Sequence, residues 1–415
     1  MNRKGQVFPI ERRALLKHAG LAAAGFAVMP LAACEAPNKL LQGSTGGSNP
    51  LAIPPLQVGR IEQGERVFRL SLTSGQKEFV AGVASPTIGI DAPYLGPTLE
   101  MRRGERVRFH IDNNLAEGAT VHWHGFELPA SADGGPHQLI CPGERWSPSF
   151  EVRQRASLYW YHSHLHRRAG SQVYAGLAAP IYVRDDQEER LGLPSEYGID
   201  DIPLIVQDRM IDGSGQLIYP SGMQARMMGV RGNRIYVNGT EDAVFDAATG
   251  QLRLRLLNGS NARFYDFSLE GGAPMQLIAS DGGLLDRPHP VRSLRLAPGE
   301  RAQIILDLAE GRPLRLVASS PDNMMGMMGG QGRGMMGGGM MGRGNDGDPS
   351  GGVFRILDIR PADTARSVRL PAELAPLGVP DPSLAVRTRR FVIDMGMMGG
   401  GMSINDAAMD MDVIN

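Results

Sequence analysis

Cysteine is almost missing from this sequence: its 415 residues hold two, Cys34 and Cys141. A disulfide framework therefore cannot be what stabilises the fold. Histidine is unevenly distributed, with none after His289. An excess of one charge is lacking too, with 43 Lys and Arg against 44 Asp and Glu. The first 33 residues carry Arg3, Lys4, Arg12, Arg13 and Lys17 against Glu11 alone, so the remainder of the chain is mildly acidic. That balance gives no electrostatic basis for nucleic-acid binding. The best apolar run, from Leu21 to Ala33, is too short to span a bilayer comfortably. Glycine (54) and proline (29) are plentiful, which favours many short strands and turns over long helices.

Residues 1–33 read as a targeting segment, set apart from the fold. A charged stretch ending Glu11-Arg12-Arg13-Ala14-Leu15-Leu16-Lys17 precedes the short apolar run. The adjacent arginines look like a twin-arginine export signal, which implies the periplasm. Leu31-Ala32-Ala33-Cys34 also looks like a lipoprotein cleavage box that would leave Cys34 as a lipid anchor; simple cleavage near Ala33 is the alternative. Residues 34–55, rich in Gly, Ser, Asn and Pro, read as a flexible tether. Cys141 lies in a loop, Ile140-Cys141-Pro142-Gly143, and reads as a partly buried bystander.

From Leu56 onward the pattern is strand after strand. Phe68, Leu70 and Leu72 alternate with polar neighbours, as do Val107, Phe109 and Ile111 after the turn at Arg103-Gly104-Glu105. Further strands are expected over Ser157–His164 and Ala178–Val183, completing a first domain at 56–187. A second domain, 198–361, has strand-like runs at Leu204–Asp208, Arg234–Asn238, Leu252–Leu257, Phe264–Leu269, Arg301–Leu306 and Val353–Ile359. His289 is expected in a turn, Pro288-His289-Pro290. Residues 362–386 read as a Pro- and Ala-rich linker, and 387–415 as the opening of a further β-domain too short to bury its own core. Regular strands separated by turn signals argue for an all-β protein of sandwiches or barrels.

The sharpest motifs are two His-X-His tripeptides, His122-Trp123-His124 and His162-Ser163-His164. Side chains in a strand repeat every second residue, so each tripeptide aims both imidazoles at one face with Cα atoms about 6.6 Å apart. Two such strands side by side make a four-imidazole wall, and imidazole binds copper, zinc, iron or nickel. His110 falls beside Arg108 and Asp112 and reads as solvent-exposed. The Gly-rich stretch 322–352 carries Met324, Met325, Met327, Met328, Met335, Met336, Met340 and Met341 in pairs between glycines. Such pairs have neither helical nor strand period, so a packed stripe is ruled out. Thioether sulfur selects Cu(I), and a promiscuous apolar surface or an oxidation sink are the other readings. A second group follows at Met395, Met397, Met398 and Met402, with Met409 and Met411 beyond.

Thr120-Val121-His122-Trp123-His124-Gly125, Asp133-Gly134-Gly135-Pro136 and Trp160-Tyr161-His162-Ser163-His164 resemble the first two copper-binding motifs of the multicopper oxidases. Gln172 with Gly176-Leu177-Ala178 is similar to the same family, as are Leu254-Arg255-Leu256-Leu257-Asn258 and Ala279-Ser280-Asp281-Gly282-Gly283. The methionine runs make the chain resemble the bacterial cuprous oxidase branch. The resemblance implies consecutive cupredoxin-like Greek-key β-sandwiches, here two complete and the start of a third. It implies a trinuclear copper cluster held by eight histidines between first and third domains. His122 would bind the type 2 copper, His124 and His162 one type 3 copper, and His164 the other. Asp133 matches an acidic residue that helps deliver protons during oxygen reduction, while His137 and His166 match no ligand position.

The remaining cluster histidines and the type 1 copper ligands have no counterpart in this chain. The resemblance thus implies an oxidase that takes electrons from Cu(I) or a small phenolic reductant, reduces O₂ to water and serves periplasmic copper tolerance. This chain alone reads as truncated and inactive, with no intense blue absorption. A non-catalytic copper-sequestering lipoprotein and a copper-free scaffold are the rival readings.

Overall fold

The computed structural model describes residues 48–222, 225, 229–320, 352–362, 369–378, 381–395 and 402–408. Two β-sandwiches follow one another. In the first, the long strand Glu65–Val80 is the organiser. It pairs with Arg106–Asn113 in parallel and with Val83–Ile90 and Arg60–Glu62 antiparallel. The opposing sheet runs in the order Leu56–Gln57, Thr98–Arg102, Ala178–Arg184, Ser157–His162, His122–His124.

The alternation read from the sequence is what seals this sandwich. Phe68, Leu70, Leu72, Val107, Phe109 and Ile111 are all at most 2% exposed and meet Leu99, Trp123, Tyr159, Tyr161 and Ile181 from the facing sheet. Phe109 stacks on Phe68 at 5.1 Å and lies 4.1 Å from Trp123. Each such side chain contributes about 1.5–3 kcal/mol by leaving water.

The second sandwich pairs a seven-stranded sheet, built on Asp201–Ile211, Gln251–Asn258 and Arg301–Asp307, with a six-stranded one that includes Tyr265–Leu269, Leu314–Ser319 and Val353–Pro361. Leu204, Leu254, Ile304, Phe267 and Leu357 fill the space between.

The strand Ser157–His162 is buried on both faces. Tyr159 and Tyr161 enter the first core, whereas Leu158 and Trp160 join Phe79, Tyr94, Tyr182, Ile205 and Leu257 in a cluster drawn from both sandwiches. The face that carries the histidine motifs is therefore the one turned toward the second sandwich.

Three expectations are corrected. The tether expected over 34–55 is structured from Ser48: Asn49–Pro50 adds a parallel strand against Ala243 and Val244, and Leu51 is 8% exposed in the second core. An extended Pro-rich segment suits a sheet edge, which composition alone reads as flexibility. His289 is not in a turn but in the strand Gly283–Val291, where it faces Leu277. That strand is the last of its sheet, and edge strands accept prolines on their unpaired side. His110 is half-buried rather than exposed, its Nδ1 2.9 Å from Ser147 Oγ.

Residues 369–378 of the expected linker lie against the second sandwich. Leu374 and Ala375 are buried, and their N–H groups donate to the carbonyls of Asp286 (2.7 Å) and Leu285 (3.1 Å). Ile393–Met395, Met402–Ile404 and Ala407–Ala408 form a small antiparallel sheet.

Candidate metal centre

The pleat of two strands places the histidines. In His122–His124 the central Trp123 is fully buried, and its indole N–H donates to the Ala132 carbonyl at 3.0 Å. Anchoring Trp123 inward leaves both imidazoles on the outer face. Antiparallel pairing then sets His162 opposite His122 and Trp160 opposite His124. The result is a two-by-two patch of three imidazoles and one indole. Trp160 stacks on His162 at 3.9 Å and lies 5.0 Å from His124.

His164 sits just past the end of its strand, which stops at His162 rather than running on as expected. Its backbone N–H donates to Thr120 Oγ1 at 2.7 Å, and its ring returns to 5.1 Å from His122 and 6.0 Å from His162. His124 and His162 are 5.4 Å apart by ring centroid, as are His122 and His162. The four rings expected to form a wall therefore converge. His164 is the exposed member of the group and His162 is buried at 8%.

Hydrogen bonds decide which nitrogens remain free. The Nδ1–H of His162 donates to the Ser163 carbonyl (2.8 Å), and that of His122 to the Asp133 carbonyl (3.0 Å). Each bond leaves Nε2 with its lone pair available. The Nε2 of His162 lies 3.2 Å from Nδ1 of His124. Imidazole nitrogens sit about 2.0–2.1 Å from a bound first-row metal ion, so two on one tetrahedral ion stand about 3.3 Å apart. One donor atom from each of His122, His124 and His162 falls within 4.8 Å of the others. The donor set fits a copper ion in kind and spacing.

Electrostatics act in the same direction. Burial, then the nearby Arg301 and His122, push the His124 pKa down to about 4. Burial, then His122, drive His162 well below the usual imidazole value. Both rings are neutral at pH 7, the form that binds metal.

A polar cradle fixes the second motif. Ser163 Oγ donates to Gln172 Oε1 at 2.5 Å. Gln172, 1% exposed on the helix Ala169–Ala175, passes its own N–H groups to the Gly118 carbonyl (2.9 Å) and the Glu117 carboxylate (3.1 Å).

Known proteins share the sequence pattern and the fold of this chain. Residues 71–188 and 192–317 each match a family described as multicopper oxidase. The chain is 37% identical over 268 residues to "Multicopper oxidase mco" of Staphylococcus aureus, covering 64% of this chain and 59% of that protein. It is 35% identical over 317 residues to "Cell division protein FtsP" of a Rahnella strain, covering 76% and 64% respectively. The chain thus spans about 59–64% of the length of these two relatives. Among solved structures it is similar to a laccase-like multi-copper oxidase CueO from Ochrobactrum sp., at 32% identity and TM-score 0.75, covering 88% of this chain and 79% of that one.

This chain belongs to the multicopper oxidase family. Family membership brings the cupredoxin-like fold as the setting for the four-imidazole face.

Of the other residues singled out in this multicopper oxidase sequence, Asp133 lies beside the face. Its carboxylate Oδ1 is 3.3 Å from His122 Nδ1 and its side chain is 38% exposed. The methionines Met324, Met325, Met327, Met328, Met335, Met336, Met340 and Met341 lie outside the described residues, as do Cys34 and the targeting segment. Residue numbering gave no hint of Arg301, 177 positions from His124 yet among the causes that lower its pKa. The one signal for it was its place in Ala297-Pro298-Gly299-Glu300-Arg301, a turn feeding a strand.

Proposed function

We propose that His122, His124, His162 and His164 form the first-domain half of a trinuclear copper site, in an exported oxidase that passes electrons from Cu(I) or a small phenolic reductant to O₂. His122 is assigned to the type 2 position, His124 and His162 to a shared type 3 position, and His164 to the second type 3 position. The observation that carries this reading is the 3.2 Å approach of His124 Nδ1 to His162 Nε2 within the three-donor cluster. Bound copper would supply one-electron redox steps, four of which, with four protons, turn O₂ into two waters.

The chain's own residues hold the rings, keep them neutral and limit water. Trp160 and the second sandwich cover His124 and His162. Asp133, touching His122 and open to solvent, is placed to relay protons inward. The Met324–Met341 thioethers would collect Cu(I), and the Arg12-Arg13 signal with Cys34 would deliver and anchor the protein in the periplasm, where copper tolerance is the role.

The test is copper content of the purified chain by elemental analysis, beside a His122→Ala/His164→Ala double variant. The reading expects copper in the first and a large loss in the second; equal content in both removes it. The similarity to a protein named for cell division favours a second reading, a scaffold or copper store without turnover. Oxygen uptake with Cu(I) or a phenol by the 415-residue chain would overturn this second reading, and with it the expectation that the chain alone is inactive.

A further inference from the structure

The loop Gly299–Arg301 of the second sandwich lies over the first-sandwich histidines. A Cβ at Gly299 would stand 3.4 Å from His124 Cε1 and 3.6 Å from Trp160 Cζ2, so its backbone covers the His124 ring. Two residues on, Arg301 is 4% exposed, and its polar contacts tie this loop to its surroundings. Nε donates to the Leu158 carbonyl (3.2 Å), in the strand that bears Trp160 and His162. Nη1 donates to the Gly299 carbonyl (3.3 Å) and Nη2 to the Asp281 carbonyl (3.2 Å). The guanidinium sits 5.5 Å above the Tyr159 ring.

Its other side meets the histidine strand. Gly125, the residue after His124, has φ +88°, and a Cβ there would come within 2.8 Å of Arg301 Nη2. The cation is therefore packed directly against the His124 turn. Its one ionic partner among the described residues is Asp281, whose Oδ1 lies 2.8 Å from Nη1 and also accepts the Arg301 backbone N–H at 2.7 Å. That carboxylate is 45% exposed, so its offset is weakened by water, whereas the guanidinium is held in a dry contact.

We propose that Arg301 is a positioning residue for the copper face, acting through His124, and that the Arg301–Asp281 pair sets how tightly the face takes Cu(II). A fixed cation opposes a divalent ion more than a monovalent one, so the pair biases the face toward Cu(I). This inference rests on the reading of the four histidines as a copper site, and the experiment keeps the two failures apart.

CuSO₄ is titrated against a competing chelator in the presence of the full chain, with the His124→Asn variant defining the share of binding that belongs to the face. Thioethers select Cu(I), so Cu(II) reports the imidazoles rather than the methionines. Asp281→Asn keeps the shape and the acceptor for the Arg301 N–H but leaves the guanidinium uncompensated. It is expected to weaken Cu(II) binding about three- to tenfold. Asp281→Asn/Arg301→Gln is expected to recover that loss, because the opposing charge is gone. A merely structural role would make the double variant worse than the single one. The proposal is overturned if Asp281→Asn binds Cu(II) as the native chain does, or if adding Arg301→Gln weakens binding further. Should the native chain itself take up no Cu(II), it is the copper reading that fails. If the double variant does not fold, Arg301→Gln alone decides: it is expected to bind Cu(II) at least as tightly as the native chain, and weaker binding overturns the proposal.

Discussion

At His122 and His162 one ring nitrogen is taken by a backbone carbonyl, and at His162 the other faces His124. Keeping such rings neutral has a consequence for stability. Burial and neighbouring cations hold His124 at about 4, against about 6.5 in an unfolded chain. Between those values the unfolded chain binds the proton and the folded one does not, so acid favours unfolding. The contribution is complete above about pH 6.5 and is lost as pH falls toward 4. Without metal, the melting temperature should drop across pH 7 to 4.5, and His124→Gln should drop less; a flat profile for the native chain contradicts this. Gly134 poses a steric demand at the same scale. Its φ is +71°, and a Cβ there would lie 1.7 Å from the Val121 carbonyl oxygen and 3.0 Å from His122 Cα. Left-handed backbone costs a non-glycine residue about 1–2 kcal/mol, and this clash adds to it. Gly134→Ala should lower both the melting temperature and the copper content, read by calorimetry and elemental analysis.

At the scale of elements, the short helix Ala169–Ala175 matters for one side chain it presents. Gln172 accepts from Ser163 and donates to the Gly118 carbonyl, tying the second histidine motif to the segment entering the first. Gln172→Ala leaves a buried hydroxyl and a half-buried carbonyl unpaired, about 1–3 kcal/mol in urea denaturation. It should also loosen His164, whose N–H is held by Thr120 in the same cradle. Much of this was legible in the sequence. The strands around Phe68 and Phe109 and the shared face of His122 and His124 follow from a period of two, which is local information. The convergence of His164 came from irregular backbone beyond its strand, so the period predicted the right neighbours by the wrong geometry. The strand at Asn49–Pro50 and the edge strand through His289 were hidden because Pro and Gly signal turns, whereas at a sheet edge they are tolerated. Arg301 was illegible for another reason: its contacts with Leu158 and Gly125 exist only once two sandwiches meet, and no local pattern encodes that.

Across the whole molecule, the two sandwiches are joined by a buried set of charges beside the apolar cluster of Tyr94, Trp160, Tyr182 and Leu257. Asp201 opens the first long strand of the second sandwich and is fully buried. Its carboxylate accepts Arg255 Nε at 2.6 Å and Nη2 at 2.7 Å, and Arg184 Nη1 at 3.0 Å from the last strand of the first sandwich. Glu188, on the connecting helix Asp186–Glu189, pairs with Arg253 at 2.5 Å and Arg255 at 3.1 Å. Removing one anion from such a set leaves guanidiniums buried without compensation, which costs about 3–5 kcal/mol. Asp201→Asn should therefore lower the urea midpoint strongly at pH 7, and the four-imidazole face should suffer with it because the second sandwich is what covers His124. The pH dependence gives the prediction its sign. Burial alone would raise the Asp201 pKa, but Arg255 and Arg253 outweigh it and bring it down to about 2. An acid depressed in the fold stabilises fully above its unfolded value of about 3.8 and loses that contribution as pH falls toward 2. The gap between native and Asp201→Asn stabilities should stay constant from pH 7 to 5 and narrow by pH 3, where the native carboxylate begins to lose the same advantage. Equal stabilities at pH 7 would show that the apolar cluster alone joins the sandwiches.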